Sequence, residues 1–345
     1  MTKRTKAPTM LDVAKIAGVS PMTVSRAMKK DSYVRDETRK RILDAAEELG
    51  YVFDSTASGL SSRKTGFIAV IVPSINNANF ADTVRGINDG LKGTNLQILL
   101  GYSDYQLEEE ERLIAQFLSR RPEAIVTTGG THTPRCRKML ENAGIPVIET
   151  WDLPEDPIGY VVGFSNADTA KMMVDHFVDT GRSRLAFIGG DDSNDRRGFD
   201  RRNGFIAALK ARGLEDKRHA DSGRPPINMR KGADAMRSLL EKWPDTDAVM
   251  CVSDLAAFGA LAQCKKMGID VPGRLAIGGF GAYDVSDVSH PAITTIDVHA
   301  REIGFLAAEV IRGLLEGDDN VEVPEISYVS PELIVRDTTL VREPV

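Results

Sequence analysis

Apolar residues near the N-terminus recur at the spacing of short helices. Residues 10–17 form one such run, with Thr9 before it as a side-chain cap and Gly18 after it as a stop. A second run begins at Pro21, because proline is favourable at the first helical position, and Ser20 can cap it. The tight, glycine-containing connection between the runs predicts a helix-turn-helix rather than an ordinary helical hairpin.

A third amphipathic run extends from about Asp36 to Leu49, and Gly50 ends it. Arg35 occupies the position where a capping hydroxyl is usual, which leaves Asp36 as the expected cap. Three short helices are enough for a minimal buried core, so this segment is expected to fold as a small domain.

From Gly66 onward the pattern changes to short, almost continuous apolar runs that alternate with amphipathic stretches. The apolar runs are 67–72, 97–100, 124–128, 146–150, 184–190, 248–252 and 275–280. This alternation predicts an α/β fold in which parallel sheets are covered by helices on both faces. About 280 residues exceed one such sheet, so two similar doubly wound subdomains are expected.

Charge divides the chain at the same place as the hydrophobic pattern. Residues 1–64 carry 13 Lys/Arg and 8 Asp/Glu, whereas the remainder carries 31 and 42 within a total net charge of −6. Only the N-terminal segment is therefore suited to approach a polyanion. Its helix pattern favours nucleic acid over a membrane surface as that partner.

Several classes of protein are disfavoured by what the sequence lacks. It has no phosphate-binding glycine loop, nucleophile elbow or His/Cys metal cluster, so neither an enzyme nor a cofactor is expected. Cys136, Cys251 and Cys264 are an odd number at wide spacing, which predicts buried thiols without a disulfide or a metal. No apolar run could span a bilayer or serve as a secretion signal, so a cytoplasmic protein with no membrane partner is predicted.

The N-terminal helices resemble the head of the LacI family of bacterial repressors. The matching stretches are residues 10–20 (Met-Leu-Asp-Val-Ala-Lys-Ile-Ala-Gly-Val-Ser), 23–26 (Thr-Val-Ser-Arg) and 48–51 (Glu-Leu-Gly-Tyr). The resemblance implies that the second helix lies in the DNA major groove, with Pro21, Met22 and Arg26 facing the bases. Arg26 can donate two hydrogen bonds to guanine, with a phosphate contact as its alternative role, whereas the other two offer only apolar contacts.

Other residues are expected to hold the DNA without reading its sequence, since short hydroxyls and flexible ammonium groups usually contact phosphate. The further positions expected at the DNA are Thr9, Ser20, Thr23, Ser25, Lys29, Lys30, Ala57 and Leu60. Composition alone would make residues 52–64 a plain linker. The resemblance instead implies a hinge helix that orders on operator DNA and inserts Leu60 into the minor groove, bending the duplex.

The same resemblance implies a sensing module that is similar to periplasmic sugar-binding proteins, with a ligand held between two subdomains. The chain would cross between them near Phe164, Thr295 and Ser327. The expected divisions are a DNA-binding domain at 1–51, the hinge at 52–64 and a ligand-binding and dimerisation domain at 65–345, with an N-subdomain at about 65–164 and 296–326 and a C-subdomain at about 165–295 and 327–345.

Open parallel sheets bind ligands at the carboxyl ends of their strands. The residues expected to contact an effector there are Ser74, Asn76, Phe80, Thr131, His132, Trp151, Arg201, Asp254 and Gly281. Arg201 matches the family's effector-binding arginine, with a surface salt bridge as its alternative role. The alternatives are a structural role for His132, a helix cap for Asp254 and core packing for the two aromatic residues.

The resemblance implies that Gly281 stands where family members that bind neutral sugars commonly carry an aspartate. A missing carboxylate beside a retained Arg201 favours an anionic ligand. The segment Thr131-His132-Thr133-Pro134-Arg135 and the pair Gly163-Phe164 resemble the gluconate-operon repressor branch of the family. This resemblance implies an effector that is gluconate or a related sugar acid.

The sequence therefore predicts a DNA-binding repressor that is controlled by a small effector. A purine, a neutral sugar or a sugar phosphate is the alternative ligand, and the sequence does not decide between induction and corepression. A homodimer is expected because the C-terminal residues show no heptad repeat for a larger assembly.

Overall fold

A computed structural model describes residues 7–28, 33–53, 65–190, 195–317 and 323–340. The chain divides after Thr65 into two compact units. Within the described ranges, no helix is long and apolar enough to cross a membrane.

The first unit consists of the helices α1 (Met10–Ala17), α2 (Pro21–Ala27) and α3 (Asp36–Leu49). Val13, Val24 and Ile42 come from different helices and are fully buried in one apolar cluster. The three predicted helices thus form a small core of their own.

Local capping explains where these helices begin. Thr9 and Asp12 form a capping box at α1, and the Ser20 hydroxyl accepts a hydrogen bond from the Thr23 N–H at α2. The prediction that Asp36 caps α3 is wrong. Arg35 is the N-cap residue, its side chain makes no capping hydrogen bond, and Asp36 lies in the first turn.

The second unit contains two parallel sheets. The six-stranded sheet has, in spatial order, β11 (Ile326–Tyr328), β5 (Tyr160–Gly163), β4 (Val147–Thr150), β3 (Ile125–Thr128), β1 (Phe67–Val72) and β2 (Gln97–Tyr102). The four-stranded sheet has β7 (His219–Ala220), β6 (Leu185–Ile188), β8 (Ala248–Cys251) and β9 (Ala276–Gly278). All pairings within both sheets are parallel, which confirms the predicted α/β class.

Helices follow most of the strands, as expected where apolar strands need cover on both faces. They are α4 (Ala78–Gly90), α5 (Leu107–Leu118), α6 (Pro134–Glu141), α7 (Asn166–Asp179), α8 (Arg196–Ala211), α9 (Met229–Lys242), α10 (Asp254–Lys266), α11 (Asp284–Val288) and α12 (Ala300–Glu316).

The chain passes three times between the two sheets. It leaves the six-stranded sheet after β5, returns through β10 (Thr295–Asp297) to α12 and β11, and leaves again through β12 (Glu332–Ile334). β10 and β12 pair with each other in antiparallel register. Two of the three crossings, those through β10 and β12, therefore form a hydrogen-bonded ribbon.

The sequence analysis expected Asp254 to contact an effector in a cleft. In the structure its carboxylate instead connects this ribbon to the four-stranded sheet. One carboxylate oxygen accepts from the Thr295 hydroxyl at 2.6 Å and the other accepts from the Tyr283 N–H at 2.7 Å. The side chain is fully buried, and Ser253 rather than Asp254 caps α10. Burial raises the pKa of Asp254 to about 6.

We predict that Asp254→Asn removes part of the pH dependence of the free energy of unfolding. The pKa of Asp254 in the folded state lies above the ordinary value of 3.8, so the native chain gains stability as the pH falls through 6. Between pH 7.5 and 5.0 the wild-type free energy of unfolding should rise by about 1 kcal/mol relative to the variant. Urea denaturation at both pH values measures this difference.

Asp284→Asn is the matched control, because Asp284 is an exposed carboxylate near the same strand ends. It should show the same pH dependence as the wild type. If the free energies of unfolding of the wild type and of Asp254→Asn differ by the same amount at both pH values, the assignment is contradicted.

Candidate functional site

A cleft with an empty volume of about 650 Å³ lies at the carboxyl ends of the strands of both sheets. The six-stranded sheet supplies residues after β1, β2 and β4, and the four-stranded sheet supplies residues after β8 and β9 together with α8. The lining residues are Ser74, Asn76, Asn77, Asn79, Phe80, Tyr105, Trp151, Asp195, Arg197, Arg201, Pro225, Pro226, Ile227, Val252, Ser253, Leu255, Phe280 and Tyr283. This is the position at which open parallel sheets bind ligands.

Arg201 projects into this cleft from α8 and is only 7% exposed. Its Nη1 donates to Asn166 Oδ1 at 2.6 Å, and its guanidinium carbon lies 4.0 Å from the centre of the Phe280 ring. The aromatic ring and the amide hold the guanidinium in place at the cleft wall.

The charge of Arg201 is poorly compensated. Among the residues that the structure describes, no carboxylate oxygen lies within 4 Å of its guanidinium, and its buried Nε has no hydrogen-bond partner. Burial accordingly lowers the pKa of the Arg201 guanidinium. A buried cation without a counter-charge is costly, so the site is suited to receive an anion.

Arg197 lies one helical turn earlier on α8 and is also 7% exposed. Its Nη1 donates to the Thr128 carbonyl at 3.0 Å, and its Nη2 lies 3.7 Å from Asp195 Oδ1. Its guanidinium carbon is 5.4 Å from the centre of the Phe80 ring. The sequence analysis missed this second cation, although the spacing of four residues on one helix could have revealed it.

A chain of buried hydrogen bonds leads from Arg201 to the opposite sheet. The Asn166 amide that accepts from Arg201 donates to the Trp151 carbonyl at 3.0 Å. The Trp151 indole N–H donates to the Thr83 hydroxyl at 3.0 Å. The single proton of that hydroxyl faces two carbonyl acceptors, Asn79 at 2.9 Å and Ala300 at 3.1 Å. The cleft arginine is thereby linked to α4 and to the first turn of α12.

Two phenols, the buried Tyr283 and the half-buried Tyr105, add neutral hydrogen-bonding groups to the cleft. The Tyr283 hydroxyl donates to Asn77 Oδ1 at 2.6 Å. Burial raises the pKa of Tyr105 to about 12 and also raises that of Tyr283, so both stay protonated near neutral pH. They suit hydroxyl groups of a ligand better than a second anion.

Five of the nine residues that the sequence analysis expected at an effector line the cleft. They are Ser74, Asn76, Phe80, Trp151 and Arg201. Thr131 instead lines a neighbouring second pocket of about 490 Å³, which shares Tyr105 and Arg197 with the cleft. The other three, His132, Asp254 and Gly281, line neither space.

Gly281 has a packing role in this arrangement. Its φ is +115°, and a Cβ atom would lie 2.5 Å from the Tyr283 ring and 2.6 Å from Asn79 Nδ2. The backbone conformation and the neighbours both require glycine. The carboxylate of neutral-sugar relatives thus has no room here.

His132 is buried beside Glu110 and Glu149 rather than exposed in the cleft. Its Nδ1 lies 2.9 Å from Glu110 Oε2 and its Nε2 lies 3.4 Å from Glu149 Oε1. Burial would by itself lower the pKa of His132, but the neighbouring Cys136 and the Glu110 and Glu149 carboxylates raise it to about 11. The structural role weighed for this residue is the one that the geometry favours.

In the first unit, α2 presents Pro21, Met22 and Arg26 on its exposed side, where they were expected to meet bases. The hydroxyls of Ser20 and Thr23 lie 2.9 Å apart, and that of Thr9 donates to Asp12 Oδ2 at 2.6 Å. Ser20 caps α2, and Thr23 and the half-buried Ser25 lie within it. Thr9 precedes α1 as its cap. Four residues expected at the DNA lie outside the described residues: Lys29, Lys30, Ala57 and Leu60.

Both units match known protein families. Residues 9–54 match the model of bacterial regulatory proteins of the lacI family, and residues 174–339 match that of periplasmic binding protein-like domains.

Individual relatives match over nearly the full chain. The HTH-type transcriptional regulator GntR of Pseudomonas aeruginosa is 35% identical over 92% of this chain and 92% of that protein. The regulator of the same name from Escherichia coli is 30% identical over 91% of this chain and 93% of that protein. A crystal structure of a LacI family transcriptional regulator from Silicibacter pomeroyi matches with a TM-score of 0.90 at 34% identity, covering 96% of this chain and 99% of that one. On these matches, the chain belongs to the LacI family of DNA-binding transcriptional regulators.

Proposed function

We propose that this regulator is a repressor whose affinity for operator DNA is controlled by gluconate or a related sugar acid bound in the cleft. The observation that carries the proposal is Arg201, a buried guanidinium without a described carboxylate partner. A ligand carboxylate would supply the missing charge and accept charge-assisted hydrogen bonds. Arg197 adds a second cation one helical turn away.

The rest of the cleft suits a polyhydroxylated carbon chain. Ser74, Asn76 and Ser253 offer small polar groups, and the two phenols can exchange hydrogen bonds with hydroxyls. Phe80 and Trp151 supply an apolar wall for the carbon atoms. The preference for an acid over a neutral sugar rests on the buried Arg201 guanidinium that lines this cleft.

The proposed mechanism uses a homodimer on a pseudo-palindromic operator. The two heads would occupy successive major-groove faces, and residues 52–64 of both chains would form hinge helices with Leu60 in the minor groove. The sensing module would consist of the two subdomains at the boundaries given above. Effector binding would close the cleft, shift the facing subdomains of the two chains and separate the hinges, so that the hinge helices melt.

We predict that gluconate or a related acid raises the melting temperature of the full-length protein and that Arg201→Gln reduces this rise at a given ligand concentration. Losing charge-assisted hydrogen bonds of roughly 1.5–3 kcal/mol weakens the Kd by about 10- to 100-fold. Calorimetric titration measures the Kd, and circular dichroism checks the fold of the ligand-free variant.

Lys210→Gln is the control, because it removes an exposed cation from the same helix. It should bind the acid like the wild type. The proposal of an acidic effector fails if only neutral sugars, purines or sugar phosphates raise the melting temperature. Whether the acid releases or strengthens operator binding, followed by fluorescence anisotropy, decides between induction and corepression.

We also predict different effects for two cations of the head. Arg26→Ala should reduce discrimination at one operator base pair by about 1–3 kcal/mol, because a bidentate contact to guanine is lost. Lys30→Ala should weaken binding to all sequences alike and lower the salt dependence, because it contacts phosphate. Binding assays with single-substitution operators at several salt concentrations separate the two, and an equal loss for both variants would contradict the assignment.

A further inference from the structure

A buried cluster of potential metal ligands lies beside the second pocket and outside the cleft. Glu110 comes from α5, His132 from the connection between β3 and α6, and Cys136 from the first turn of α6. The cysteine spacing in the sequence gave no reason to expect a metal. The fold nevertheless brings one cysteine together with a histidine and a glutamate.

The ligand atoms of these three residues are close enough to share one ion. One atom from each lies within 4.8 Å of the other two, and His132 Nδ1 is 2.9 Å from Glu110 Oε2. The side chains of His132 and Glu110 are 1% and 8% exposed, and Cys136 is fully buried. Ligand atoms bound to one tetrahedral zinc ion lie roughly 3.3 Å or more apart, so a shift of a few tenths of an ångström admits the ion.

The surroundings of His132 have the form usual for a metal-bound histidine. Its other ring nitrogen, Nε2, faces Glu149 Oε1 at 3.4 Å, and neither of these buried atoms completes a hydrogen bond. The remaining Glu149 oxygen accepts from the Ile158 N–H at 2.7 Å, which fixes the carboxylate. A carboxylate behind a histidine orients the ring and holds its tautomer once the first nitrogen binds a metal.

We propose that Glu110, His132 and Cys136 bind one thiophilic divalent cation of the Zn²⁺ class. A thiolate, an imidazole and a carboxylate select such ions over Mg²⁺ or Ca²⁺, which prefer oxygen ligands. The cation replaces the thiol proton and the proton shared between His132 and Glu110, and both protons pass to solvent. The two ligand charges, thiolate and carboxylate, then balance the charge of the ion.

The second pocket gives this site an entry path and a fourth ligand position. Glu110 lines that pocket, which is open to solvent. Water can therefore complete a tetrahedral shell around three protein ligands. The bound ion would join α5 to the β3–α6 connection, which carries Thr131 into the second pocket.

The test is a titration of the reduced, chelator-treated full-length protein with Co²⁺. One equivalent should produce visible d–d bands of a low-coordinate cobalt site and a near-ultraviolet thiolate-to-cobalt absorption, and Zn²⁺ should displace both. Cys136→Ser should lose the thiolate absorption, whereas Cys264→Ser, at another fully buried cysteine, should keep it. Glu149→Gln should weaken the Zn²⁺ affinity by about 10- to 100-fold while the thiolate absorption remains.

Circular dichroism of each variant without metal establishes that it is folded, and His132→Gln offers a second route if Cys136→Ser does not fold. The proposal is overturned if the wild type gives no thiolate absorption with excess Co²⁺, or if Cys136→Ser retains it. In either case hydrogen bonds and ion pairing alone hold the cluster together. The titration needs no sugar acid, so its outcome is independent of the effector proposed above.

Discussion

The second unit buries a cation, Arg201, that has no carboxylate oxygen within 4 Å among the described residues. Arg201 is held in place by Phe280 and Asn166, so its position is fixed before any ligand arrives. A guanidinium that is already ordered and dehydrated loses little entropy when an anion binds. The unfavourable electrostatics of a buried guanidinium would favour binding of a ligand with the opposite charge.

The same arginine is one end of a polar connection through an apolar interior. The hydrogen bonds through Asn166, Trp151 and Thr83 cross from α8 to α4 and reach the backbone of α12. In a medium of low polarity each of these groups needs its partner, because an unpaired buried donor or acceptor costs about 1–3 kcal/mol. A change in the position of Arg201 is therefore expected to move the connected groups together rather than one at a time.

Local chemistry made the head and the fold class predictable. Thr9, Gly18 and Ser20 act on the backbone next to them, so their effects could be read without knowing the tertiary structure. Likewise, the apolar runs needed only their own composition to be recognised as buried parallel strands. Arg201 was located by its likeness to a family position, since composition alone allowed a surface salt bridge.

Side-chain direction just after a strand was much harder to predict. Asp254 and His132 both follow strands. The Asp254 carboxylate points toward the ribbon of β10 and β12, whereas the His132 ring points toward two glutamates. Which way each points depends on partners more than 15 residues away in the chain, such as Thr295 and Glu110. Arg197 is a different case, because its spacing of four residues from Arg201 already places both on one face of α8.

Gly281 has a consequence for how ligand preference could change during divergence of such regulators. An aspartate at this position must share space with the Tyr283 ring and Asn79, and it must adopt a backbone angle that suits glycine. Acquiring that carboxylate therefore requires accommodating replacements at the neighbouring positions, either beforehand or at the same time. A ligand preference that depends on a carboxylate at this position therefore needs several coordinated substitutions, and a substitution of Gly281 alone is not enough.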